Sequence, residues 1–223
     1  MRNILISEQQ FNRLFVIKEA ADNEFNVEML DKIRSFRGRF IYCKEHLGNA
    51  IGKGSSRAVF QIDDEKVLKL AINSKGITQN RAEDERFIQN YGITTQVVDS
   101  NDDGLWIISE FAIPAKKSDF PICLGITFEE YCEFIKKSSA RYLPRHKSFF
   151  SKMTDERYDD LLENNEWLSG LDDYLGDYQI KGFNDLMVLR NIGLVQRDGN
   201  PTIVLLDYGW NNVSYEEYQS RWK

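Results

Sequence analysis

Ile51-Gly52-Lys53-Gly54-Ser55-Ser56-Arg57-Ala58-Val59-Phe60, followed by Val67-Leu68-Lys69-Leu70-Ala71, is the stretch on which the reading of this chain turns. Two glycines one residue apart let a turn take positive φ and approach a ligand closely. The flanking Ile51 and Val59-Phe60 have the β-branched and aromatic character of strands. The segment predicts a strand, a tight glycine turn and a returning strand. Asp63-Asp64-Glu65-Lys66 makes the next turn polar. Lys69 then lies between Leu68 and Leu70 in a strand, so it projects from the face opposite to theirs. A lysine on the concave face below a glycine turn is a site for phosphate.

Working outward, Asn73-Ser74-Lys75-Gly76 reads as a turn, and Thr78 to Tyr91 as a helix whose Arg81, Glu83, Glu85 and Arg86 give it a mostly polar surface. Gln96-Val97-Val98 and Leu105-Trp106-Ile107-Ile108-Ser109 read as an antiparallel pair around the turn Asn101-Asp102-Asp103-Gly104. Glu110-Phe111-Ala112-Ile113-Pro114 leaves that sheet, which sets a boundary between lobes near residue 112. Upstream, Ser7 caps a first helix that ends near Ala20 to Asn23. Phe25, Met29, Leu30, Ile33 and Phe36 mark a second helix ended by Gly38, and Phe40, Ile41, Tyr42 and Leu47 a third stretch closing at Gly48. This region is expected to be a helical cap on the sheet.

Downstream, residues 127 to 143 and 154 to 178 read as helices with segregated charge. Lys136, Lys137, Arg141, Arg145, Lys147 and Lys152 precede Asp155, Glu156, Asp159, Asp160, Glu163, Glu166, Asp172, Asp173 and Asp177. Opposite blocks adjacent in sequence are expected to neutralise each other across a helical hairpin; a basic patch for an acidic substrate is the alternative. Asn191-Ile192-Gly193-Leu194-Val195, an Asp198-Gly199 turn and Thr202 to Gly209 make a β-hairpin. Its antiparallel pairing brings Asn191 near Asp207.

The 223 residues suffice for one domain, or two closely joined lobes, around a real core. A net charge of −6 argues against general nucleic-acid binding. Cys43, Cys123 and Cys132 lack the paired spacing of a zinc or redox site and read as reduced thiols, and His46 and His146 as surface or packing residues. The amino terminus is too quickly polar for a secretory signal, and no run approaches the roughly 20 apolar residues of a membrane span. A soluble, cytoplasmic protein with no membrane partner is expected.

Each motif is weak alone, and their order carries more. Gly52-Lys53-Gly54 with Val59, Lys69 in a strand, a helix with Glu83 or Glu85, a strand ending at Glu110, Asn191, and Asp207-Tyr208-Gly209 follow the order of protein kinases. The chain resembles the protein-kinase-like fold. Within that fold it is similar to small kinase-like proteins of tailed bacteriophages, on Gly52 to Arg57, Val67 to Ala71, and Gly76-Ile77-Thr78-Gln79-Asn80 with Glu83.

The resemblance implies an α+β, two-lobed architecture: an N-terminal helical extension over 1–48, a sheet lobe over 49–112, and a truncated helical lobe with a β-hairpin over 113–223. It implies ATP and Mg²⁺ as cofactors. The backbone at Gly52, Gly54, Ser55 and Ser56 would cover the phosphates, and Lys69 would contact them while paired with Glu83, Glu85 being the competing acid. Glu110 to Ala112 would link the lobes and meet the adenine. Asn191 and Asp207 would hold magnesium, and Asp185 would orient or deprotonate an acceptor hydroxyl on a protein or small molecule.

There are departures. Arg57 replaces the third glycine, stiffening the loop and bringing a guanidinium within reach of phosphate. No His-Arg precedes Asp185, which lies one position farther from Asn191 than in the family motif. The short stretch after Gly209 leaves no room for an activation segment. The expected function is Mg-ATP binding with phosphotransfer. The alternatives are an inactive pseudokinase acting as a binding module, or a phage structural, virion-associated protein without nucleotide; a phage-encoded chain would act in the host cytoplasm.

Overall fold

A computed structural model of the chain describes residues 24–85, 91–142, 150–178, 183–208, 216 and 218–220. The expected Ser7 helix, Arg86, Arg145, His146, Lys147 and Gly209 lie outside the described residues. The chain is α+β, with small antiparallel sheets and several helices.

The first sheet has five strands, β1 (Gly52–Lys53), β2 (Arg57–Gln61), β3 (Lys66–Ala71), β4 (Val97–Ser100) and β5 (Trp106–Glu110), in the order β1-β2-β3-β5-β4. Its register places Val59, Lys69 and Ile107 side by side, and Phe60, Leu68 and Ile108 in the next row. Because side chains alternate along each strand, one face carries Ala58, Phe60, Leu68, Leu70, Trp106 and Ile108, and the other carries Lys69. The apolar face is covered by α1 (Val27–Lys32) and α2 (Phe36–Leu47), which bury Leu30, Tyr42 and Cys43 against it. Phe40 meets Phe60 edge-on at 5.6 Å, and Trp106 Nε1 donates to Asp31 Oδ1 at 2.7 Å. Burial pushes the Cys43 thiol up to about 12, and His46 packs on Tyr42 with ring centroids 4.3 Å apart.

Gly38 does not end a helix, as its spacing suggested. The break falls at residues 33–35, and Ser35 caps the next helix by accepting from Gly38 N at 3.0 Å. A Cβ on Gly38 would lie 2.7 Å from Ile33 Cγ2, so glycine here serves the close approach of two helix ends. Nor do Gly52 and Gly54 adopt positive φ. A Cβ on Gly54 would meet nothing nearer than 3.9 Å, so the fold itself leaves space above the turn.

Helix α3 (Ser74–Asp84) begins earlier than expected, because Asn73 acts as its N-cap by accepting from Gly76 N at 3.2 Å. Its surface is not the solvated one its composition suggested: Thr78, Gln79, Asn80 and Glu83 are all buried. Gly76 is where helix and sheet touch, since a Cβ there would lie 2.2 Å from Ser56 O and 3.0 Å from Ala71 Cα. Both obstacles are backbone, so they cannot swing aside. Gly76→Ala is expected to cost at least about 2 kcal/mol in urea denaturation, whereas Gly54→Ala stays within about 0.5 kcal/mol of wild type.

The second sheet is β6 (Ile113–Pro114), β7 (Ile192–Arg197) and β8 (Asn200–Leu205), in that order. Asp198 and Gly199 form the β7–β8 turn with φ of 52° and 79°, the left-handed pair that a two-residue hairpin favours. Around it pack α4 (Asp119–Leu124), which the sequence reading did not anticipate, α5 (Phe128–Tyr142), α6 (Asp155–Asn164) and α7 (Glu166–Tyr178). The expected 154–178 helix is thus two helices. Asn165 leaves helical geometry (φ −138°, ψ 100°), accepts from Leu168 N at 3.0 Å and donates to Leu124 O at 2.8 Å. Tyr131, Phe134, Tyr158, Leu168, Leu171 and Tyr174 form the centre of this second core.

The charge blocks meet at one pair, Lys137–Asp155 at 2.6 Å, while Lys136 pairs with Glu133 of its own helix at 2.7 Å and Arg157, the cation within the acidic block, reaches Glu130 at 2.9 Å. Asp172 is an exception in the acidic block, being buried and accepting from Ser138 Oγ, Tyr158 Oη and, at 2.9 Å, Tyr142 Oη. Among the described residues no helix is long and apolar enough to cross a membrane.

Candidate functional site

Strand alternation aims Lys69 at α3, and its Nζ donates to Glu83 Oε2 at 2.7 Å and to Leu206 O at 3.0 Å. Glu83 is fully buried. Polar bonds set the helix so that this pair forms: Asn80 Nδ2 donates to Lys69 O at 3.2 Å and to Gly104 O at 3.0 Å, and Ser56 Oγ donates to Gln79 Oε1. This accounts for a polar helix in a buried place, since Gln79, Asn80 and Glu83 each have a partner on the sheet or on one of its turns. Glu85 is exposed at the C-cap of the helix, so the acid paired with Lys69 is Glu83.

The second cation at the site is Arg57. Its Nη1 lies 2.7 Å from Glu83 Oε1 and its Nη2 donates to Asp207 Oδ1 at 2.6 Å. Two cations thus share one buried carboxylate, and Arg57 reaches a second carboxylate whose side chain is 49% exposed. Burial alone would raise the Glu83 value, but the charges of Arg57 and Lys69 outweigh it and hold the group below the ordinary glutamate range. Burial lowers Lys69, which Glu83 opposes and Arg57 reinforces, and the net direction is down. For Arg57 burial also acts downward, yet Glu83 and Asp207 leave it above the ordinary arginine range. Both cations therefore sit in a charge-compensated interior.

Asp207 arrives from the far end of the chain because the end of β8 docks beside the segment that precedes β4. Thr94 bridges Leu205 in parallel fashion, Leu205 N donates to Ile93 O at 2.8 Å and Thr95 N to Leu205 O at 3.3 Å. Tyr208, also buried, continues this contact through its hydroxyl to Thr95 O at 3.1 Å. Arg197 fastens the same hairpin, donating to Thr94 O and to Glu110 Oε2, both at 2.7 Å.

The other expected site residues fall around this centre. Gly52 lies in β1, Gly54 and Ser55 are exposed, and Ser56 is buried against α3. Gly54 N is taken by Arg57 O at 2.9 Å, while among the described residues no protein acceptor takes the N–H groups of Ser55 and Ser56. At the expected adenine-facing link, Glu110 N and Phe111 N are bonded to Gln96 O and Glu65 O. Among the described residues no backbone acceptor takes the Ala112 N–H. Asn191 and Leu206 are neighbours, through Leu206 N to Asn191 O at 2.9 Å. Asp185 sits exposed in a short 3-10 turn, Phe183–Met187, and its backbone carbonyl accepts from Asn191 Nδ2 at 3.0 Å.

Of the expected magnesium ligands, Asn191 bonds Leu206, the residue before Asp207. Asp207 Oδ1 is taken by Arg57, and Asn191 Nδ2 donates to Asp185 O, a bond that engages the amide nitrogen and not the Oδ1 that a metal would take; no group of three His, Cys, Asp or Glu side chains able to hold a metal occurs among the described residues. The partners that sequence reasoning left without roles are Asn80, Gln79, Thr95, Tyr208 and Arg197. The one available signal was a cluster of amides and an acid at helical spacing, Gln79, Asn80 and Glu83, without an apolar face to bury. Comparison of the chain with family models, characterised proteins and solved structures returned no match.

Proposed function

We propose that the Lys69 cluster is a kinase-like nucleotide site in a two-lobed, protein-kinase-like fold, with ATP as its ligand. The observation that carries this reading is the buried ion pair between a strand lysine and an acid on the helix that follows, Lys69 and Glu83, beside the Asp207 carboxylate. In protein kinases such a pair positions lysine on the nucleotide phosphates. The open N–H groups of Ser55 and Ser56 at the β1–β2 turn supply the donors a phosphate needs, and Ala112 supplies one for the base.

Transfer to a protein or small-molecule hydroxyl is the enzymatic form of this proposal, with Asp185 as the group that orients the acceptor. The capture of Asp207 by Arg57 favours the second form, a pseudokinase that keeps the nucleotide and acts through its surfaces.

Thermal unfolding with ATP, paired with transfer of labelled γ-phosphate, tests both. ATP at about 100 times its Kd adds about 2.7 kcal/mol, or a rise of roughly 5–10 °C for a chain of this length. Lys69→Met is expected to abolish that rise. A rise without label transfer assigns the pseudokinase form. The absence of any rise rejects the nucleotide reading and leaves a structural or virion-associated role.

A further inference from the structure

We propose that Arg57 stands in for a divalent cation, so that this chain binds ATP without metal. The inference rests on the nucleotide reading above. A carboxylate at the mouth of a polyphosphate site repels its ligand, and magnesium commonly resolves the conflict by lying between them. Here the carboxylate of that kind is Asp207, half exposed, and a guanidinium already sits on it at 2.6 Å.

This arginine is built in. It belongs to β2, paired with Ala71 of the central strand, its side chain is 9% exposed, and its other arm lies 2.7 Å from the fully buried Glu83. A guanidinium keeps its charge at every working pH. To displace it from Asp207, an incoming dication would have to leave a buried positive charge with half its compensation. A dication that did not displace it would be held next to a like charge. Magnesium also demands near-octahedral oxygen ligation, and one of the two Asp207 oxygens is already taken by the guanidinium.

The charge balance agrees. Lys69, Arg57, Glu83 and Asp207 together are neutral, whereas without Arg57 the group carries a net negative charge toward the phosphates. Arg57 thus does the neutralising work at Asp207 from within the chain, and the sequence position that usually holds a glycine is where it enters.

The test is calorimetric titration of the full chain with ATP in excess MgCl₂ and again in excess EDTA. Wild type is expected to show the same affinity within about threefold in both. Arg57→Gln is expected to lose about tenfold or more in EDTA and to regain affinity with Mg²⁺. Asp207→Asn keeps a polar partner on the half-exposed side and removes the repelling charge, so its affinity in EDTA is expected to equal or exceed that of wild type. A wild-type affinity raised tenfold or more by Mg²⁺ overturns the inference and leaves the nucleotide reading intact. Loss of Mg-ATP binding in Asp207→Asn, the behaviour of a metal ligand, does the same. No binding in either buffer rejects the nucleotide reading, and this inference falls with it.

Discussion

Replacing Glu83 by glutamine is expected to destabilise the chain by about 3–5 kcal/mol. Glu83 is the only fully buried carboxylate of the cluster and compensates Arg57 and Lys69 at once, at 2.7 Å each. Glutamine keeps the shape and two polar atoms but leaves two cations facing the half-exposed Asp207 alone. For a chain of this length the loss corresponds to a fall in Tm of roughly 6–20 °C. The variant also changes the response to acid. Above the ordinary glutamate range both native and unfolded chains carry Glu83 ionised, and its stabilisation is complete. As pH falls from that range toward the depressed native value, the unfolded chain takes up a proton that the native chain does not. Stability then declines by up to about 1.4 kcal/mol per pH unit from this one group. Denaturant titrations across acid pH should show a shallower decline in Glu83→Gln than in wild type, and parallel declines would remove Glu83 from the account.

Asp172→Ala is expected to cost about 3 kcal/mol or more. Three hydroxyls from two other helices converge on this carboxylate: Ser138 and Tyr142 of α5 and Tyr158 of α6. Ser138 and Tyr158 are buried with it, so removing the acceptor strands donors that water cannot reach. Burial and then the Asp172 carboxylate push the Tyr142 hydroxyl up to about 12, consistent with a phenol that keeps its proton to donate. Asp172→Asn retains one acceptor oxygen and is expected to lose less than half as much. Urea denaturation of both variants decides the matter; equal losses would mean that charge, and not acceptance, is what the three helices need.

The strands were legible because period-two alternation is a local signal, and Leu68-Lys69-Leu70 states which face is apolar. Most helices, α4 excepted, were legible from their own local periodicity, but boundaries were set by caps that resemble turn formers. Asn73 and Ser35 each look like the start of a loop until the amide that they cap is known. The burial of α3 was not legible, because Glu83 and Asn80 find their partners 14 and 11 positions away on a neighbouring strand. Lys69, Glu83 and Asp207 could be chosen by motif order. The part of Arg57 could not, since its second carboxylate lies 150 positions downstream.

That separation has a consequence for assembly. The sheet from β1 to β3 closes through short loops, whereas the bond from Arg57 to Asp207 must wait until β8 has docked beside Thr94. Long-range closures come late because their entropy is lost before their contacts form. Before it, a nascent or partly opened chain holds Lys69 and Arg57 around a single carboxylate, an electropositive hollow open to any polyanion. Native-state hydrogen exchange should find the Leu205 amide opening at lower free energy than that of Leu68. The arrival of β8 is then the step that brings in the second carboxylate and makes the cluster of Lys69, Arg57, Glu83 and Asp207 neutral.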